Sequence, residues 1–128
     1  MSCKNVLVTG GCGFIASNFI NYYFHRFECN IVNVDAMYYC AKEENVDKEI
    51  RESSRYKLIK GNTGNRELID NVLRDNDITH VIHFAAQSHV QNSFDNALQY
   101  THDNVVGTHV LLECCRLYGV EKFIHISP

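Results

Sequence analysis

The run Asn5-Val6-Leu7-Val8-Thr9 is short, apolar and β-branched, and it stops dead at Gly10-Gly11. Helical spacing takes over at Phe14, with apolar residues at Phe14, Ile15, Phe19, Tyr22, Tyr23 and Phe27. The segment therefore reads as a buried strand, a glycine turn and a helix. Glycine alone marks any ordinary turn, so its position carries the argument. Directly between strand and helix, Gly10 can take the tight turn, and Gly13 lets the backbone approach a pyrophosphate. The charge of that group would be stabilised by amides at the helix N-terminus. Ala16 stands at the third small position, where helix and sheet pack closely.

A second strand, 30–35, ends in Asp35, which lies 19 residues after Ala16. A carboxylate there can accept hydrogen bonds from both hydroxyls of a ribose and repels a 2′-phosphate, which selects NAD over NADP. The plainer reading is a glycine turn followed by an acid that caps a strand. The joint spacing favours the dinucleotide.

The remaining chain repeats the alternation. Residues 36–55 are polar and tyrosine-bearing, a loop with a short helical turn, and 55–60 form a third strand closed by Gly61. Asn65 opens a helix in which Leu68, Ile69, Val72 and Leu73 share one face. A fourth strand is expected over 79–85, a long helix over 95–118 with Gly119 as its stop, and a fifth strand over 122–127. Strands alternating with helices imply one α/β domain over 1–128, a doubly wound parallel sheet of Rossmann type.

Composition removes other classes. With 12 basic and 15 acidic residues the net charge is −3, so no basic surface of the kind nucleic acid or anionic lipid demands is expected. No apolar run approaches the length of a membrane span, and the N-terminus reads as strand and turn with no export signal, so a cytoplasmic protein is expected. Six cysteines suggest a disulfide framework only until their setting is considered. Cys114 and Cys115 are adjacent within a helical pattern, and no Cys-x-x-Cys occurs. His80 and His83 fall on opposite faces of a strand, and no trio of metal ligands converges.

The glycine spacing, Gly10-x-x-Gly13-x-x-Ala16 with Gly11 extra, resembles the cofactor loop of the extended short-chain dehydrogenase/reductases, the NAD-dependent sugar-nucleotide epimerases and dehydratases. Other blocks are similar to the dTDP-glucose 4,6-dehydratases among them. These are Asn33 to Ala41 with Glu44-Asn45-Val46, His83 to Val90, and Asn104-Val105-Val106-Gly107-Thr108 with Leu111-Leu112-Glu113. The resemblance runs collinearly over essentially the whole chain. It implies that Gly10, Gly11 and Gly13 cradle the cofactor and that Phe14 and Ile15 lie against its diphosphate. Asp35, Ala36, Met37 and Tyr38 would surround the adenosine ribose, and Asn62 and Thr63 the adenine. Phe84, Ala85, Ala86 and Gln87 would line the nicotinamide-side ribose, with Ser88 reaching toward a nucleotide-sugar substrate. The chain departs from the family at Asn62, where Asp is usual, at Asp103, where Thr is common, and at Gln91-Asn92, where Asp and Arg are expected.

In the dehydratases the fifth strand leads into a Thr-Asp-Glu run and then a Tyr-x-x-x-Lys helix. Here Ser127 matches the preceding Ser, and Pro128 stands in the Thr position. The resemblance thus implies the NAD-binding part of a sugar-nucleotide 4,6-dehydratase, inactive alone and without catalytic residues of its own. The alternative is a non-catalytic nucleotide-binding module acting through a partner. The helix around 96–118 carries more apolar residues than one sheet face can bury, and the outer edge of the fifth strand lacks a neighbour, so a homodimer or larger species is expected.

Overall fold

The computed structural model describes residues 4–37, 41–84 and 94–126, and the side chains of 94–104 are outside that description. Five strands form one parallel sheet: β1 (Lys4–Thr9), β2 (Cys29–Asp35), β3 (Tyr56–Lys60), β4 (His80–Phe84) and β5 (Lys122–Ile126). Their order is β3-β2-β1-β4-β5, so the chain moves outward from β1 to one edge and then returns to build the other. That reversal beside β1 is the switch point of a doubly wound, Rossmann-like sheet.

Helices cover both faces. On one, α1 (Phe14–Arg26) and the short α2 (Lys48–Arg51) enclose Val6, Val8, Ile20, Phe24, Ile31 and Ile50. On the other, α3 (Arg66–Asp75) and α4 (Phe94–Leu117) pack over Leu7, Val32, Val34 and Val81. The period-2 alternation of β2 explains the division: Ile31, Asn33 and Asp35 belong to the α1 side, Val32 and Val34 to the α3 side. The helix face expected in α3 is the buried one, since Ile69, Val72 and Leu73 are all in the core. Asn65 caps α3, its side chain accepting the Leu68 amide at 3.2 Å. Gly119 ends α4 in the left-handed conformation, φ +66°, and the Val120 amide donates back to the Cys115 carbonyl at 3.0 Å.

The element boundaries expected from sequence agree with these to within one or two residues. The expected loop over 36–55 contains a 3-10 turn, Glu43–Asn45, as well as α2. Among the described residues no helix is long and apolar enough to cross a membrane.

Candidate cofactor site

Parallel strands bring their C-terminal ends to one edge of the sheet, and the expected site residues gather there. Gly10, Gly11 and Gly13 follow β1, Asp35 closes β2 with Ala36 and Met37 after it, Asn62 and Thr63 follow β3, and Phe84 closes β4. Tyr38, Ala85, Ala86, Gln87 and Ser88 lie outside the described residues.

The glycine turn is built against its neighbours. Gly10 has φ +71°, its amide donates to the Val34 carbonyl at 2.8 Å, and a Cβ there would stand 3.2 Å from the Phe84 carbonyl oxygen. A side chain at Gly10 would thus be strained and crowded at once. Gly11 lies over the Asn33 side chain, which occupies the space a Cβ would need. Its amide donates to Asn33 Oδ1 at 2.9 Å. The Cys12 amide donates to Asp35 Oδ2 at 2.8 Å, and the Gly13 amide to the Gly10 carbonyl at 3.1 Å.

Every amide from Gly10 to Gly13 is therefore consumed inside the protein. The next three are different. Among the described residues, the amides of Phe14, Ile15 and Ala16 meet no acceptor, and Gly13 offers no side-chain cap to α1. These are the orphan donors of a helix N-terminus, with the positive end of the helix dipole behind them. The side chains of Phe14 and Ile15 are 78% and 55% exposed, so they stand over this edge and not in the core.

Asp35 is buried and has a second role beside the one its spacing suggests. Its Oδ1 accepts the Met37 amide at 2.7 Å, and Met37 is held at φ +60°, a conformation uncommon for a residue with a side chain. An ionised carboxylate has about four acceptor positions, so two internal bonds leave capacity for a ligand. Asn62 Oδ1 accepts the Gly64 amide at 2.7 Å, which folds the loop after β3 on itself. Thr63 lies against Gly107 of α4, where only the absence of a side chain lets the helix approach. Phe84 turns its ring to Phe19 of α1, 5.8 Å between centroids, so its carbonyl is the part that meets the glycine turn.

A family model described as GDP-mannose 4,6 dehydratase matches residues 7–128. The chain belongs to this family. A dTDP-D-glucose 4,6-dehydratase of Mus musculus is 42% identical over 125 residues, covering 97% of this chain and 35% of that protein. A trifunctional UDP-glucose 4,6-dehydratase/UDP-4-keto-6-deoxy-D-glucose 3,5-epimerase/UDP-4-keto-L-rhamnose-reductase of Arabidopsis thaliana is 40% identical over 126 residues, 97% of this chain and 19% of that one. Among solved structures, the dTDP-glucose 4,6-dehydratase of Bacillus anthracis in complex with NAD superposes with a TM-score of 0.84 at 35% identity, covering 98% of this chain and 37% of its own. The chain thus spans roughly a fifth to a third of the length of the curated relatives named here.

Three supporting residues of this GDP-mannose 4,6-dehydratase family member are not evident from motif spacing. Asn33 is one, and its place on the same strand face as Asp35, two residues on, is the signal that points to it. The other two are a threonine pair around His83. Thr9 Oγ1 lies 2.5 Å from His83 Nδ1, and Thr108 Oγ1 of α4 lies 3.0 Å from Nε2. Burial, reinforced by the stacked ring of His125, pushes the pKa of His83 down to about 4, so the imidazole is neutral at pH 7. Cys12, inside the turn, has its thiol pushed up to about 11 by burial and by the Asp35 carboxylate. It is a packed, protonated thiol and not a nucleophile.

Proposed function

We propose that this chain is the NAD-binding part of a sugar-nucleotide 4,6-dehydratase, of the kind that converts a dTDP-hexose to its 4-keto-6-deoxy product. The observation that carries the reading is the division of amides at the β1–α1 turn. Gly10 to Gly13 are satisfied internally, the Cys12 amide by the Asp35 carboxylate, whereas among the described residues the amides of Phe14, Ile15 and Ala16 meet no acceptor. The fit to a dinucleotide is chemical: donors for a diphosphate, and an acid one strand away for a ribose diol.

In this reading Phe14 and Ile15 give their amides to the diphosphate and cover it with their exposed side chains. Asp35 accepts from the adenosine ribose, with Ala36, Met37 and Tyr38 around it. Asn62 and Thr63 flank the adenine. Phe84, Ala85, Ala86 and Gln87 line the second ribose, and Ser88 reaches toward the nucleotide sugar. Bound NAD supplies reversible hydride transfer, which the protein orients and shields. The members of the family named above that were solved with NAD, or named for dTDP-glucose or UDP-glucose, support this choice of cofactor and substrate class.

Calorimetric titration of the chain with NAD⁺ and with NADP⁺ tests the reading. Saturable binding of NAD⁺, tighter than NADP⁺, is expected. Absence of NAD⁺ binding, or equal affinity for the two, would overturn it.

A further inference from the structure

Asn33 is fully buried in the middle of β2, yet every polar position of its amide group is placed toward the glycine turn or toward β3. Oδ1 accepts the Gly11 amide at 2.9 Å, and Nδ2 donates to the Tyr56 hydroxyl at 3.0 Å and to Cys12 Sγ at 3.5 Å. The orientation of the amide follows from chemistry. A flipped group would set its NH₂ against the Gly11 N–H, donor against donor. Tyr56 stays a neutral phenol, its pKa pushed up to about 12 by burial, so it remains a hydrogen-bond partner and not a charge.

We infer that Asn33, braced by Tyr56, is a positioning residue for the diphosphate of the cofactor. It acts through the backbone. By taking the Gly11 amide downward while Asp35 takes that of Cys12, it turns two donors of the loop into the sheet. The direction of the loop is then fixed, and the donors facing outward are those of Phe14 to Ala16. The same contact explains the extra glycine of the Gly-Gly-x-Gly turn. Gly11 is small because the Asn33 side chain fills the volume of its Cβ. The inference rests on the dinucleotide reading and adds to it which part of the ligand Asn33 serves.

The test compares two ligands on the full 128-residue chain. In Asn33→Ala, NAD⁺ affinity should fall about tenfold, the scale of one lost hydrogen bond to the loop, while adenosine, which has no diphosphate, binds within about twofold of the parent. Tyr56→Phe should weaken NAD⁺ about threefold and add nothing when combined with Asn33→Ala, because among the described residues the partner of the hydroxyl is Asn33. Unchanged NAD⁺ affinity in Asn33→Ala, or equal loss of NAD⁺ and adenosine, would overturn the inference. Should Asn33→Ala not fold, Tyr56→Phe decides: an affinity equal to the parent's rejects the brace. A parent chain that binds no NAD⁺ rejects the dinucleotide reading itself and the inference with it, an outcome distinct from parental affinity in the variants.

Discussion

The Asp35 carboxylate accepts the Cys12 amide at 2.8 Å, so the acid that closes β2 also shapes the turn that closes β1. One residue thereby links the expected ribose site to the expected diphosphate site. A change at Asp35 reaches both.

Asp35→Ala should weaken NAD⁺ by roughly 1.5–3 kcal/mol, the range for hydrogen bonds to a charged group, and should narrow the preference over NADP⁺. It also releases the Cys12 and Met37 amides, so the melting temperature of the variant falls even without ligand. Calorimetry and thermal unfolding, measured on the same preparations, check the two effects separately. A variant with parental NAD⁺ affinity would remove Asp35 from the site.

His83 makes stability depend on pH. Folded, its pKa is about 4 against 6.5 for a free imidazole. Above about pH 6.5 neither state is protonated and the stability is whole. As pH falls below that value the unfolded chain takes up a proton that the folded one refuses, and stability declines until pH reaches about 4. The full contribution is on the order of 3 kcal/mol. Denaturant unfolding from pH 7 down to pH 4.5 should show this slope in the parent and a flatter one in His83→Gln. The same slope in both would assign the dependence to other groups.

Gly10 and Gly119 share a left-handed backbone but not their surroundings, since among the described residues a Cβ at Gly119 meets nothing within 4 Å and one at Gly10 meets the Phe84 carbonyl. Gly119→Ala should cost about 1 kcal/mol, the conformational penalty alone, and leave NAD⁺ binding unchanged. Gly10→Ala should cost more and should abolish measurable binding. Equal penalties in the two variants would contradict the crowding at Gly10.

Along α4 the inward residues Leu111, Cys114 and Cys115 are buried, while Val105 and Leu112, seven positions apart, are 65% and 48% exposed. The expectation that copies of this chain associate through α4 is tested at these two residues. Sedimentation equilibrium should give a mass above the monomer that rises with concentration, and Leu112→Lys should lower it. A constant monomeric mass would show that α4 does not associate.

The order of strands and helices, the glycine turn and the acid after β2 were readable from residue pattern. Each depends on local periodicity or on a residue type that one backbone geometry requires. Which amides of the turn stay unpaired was not readable, because Asn33 and Asp35 reach the loop across more than 20 residues of chain and only the sheet sets them beneath it. The same holds for Thr9, His83 and Thr108. Their hydroxyls and ring come from two strands and a helix, and the pairing of β1 with β4 is what aligns Thr9 with His83. Sequence determined the elements and the kind of turn between them. Tertiary structure decided which polar groups hold that turn and which meet no partner among the described residues, because the partners of a buried hydrogen bond are chosen by proximity in space.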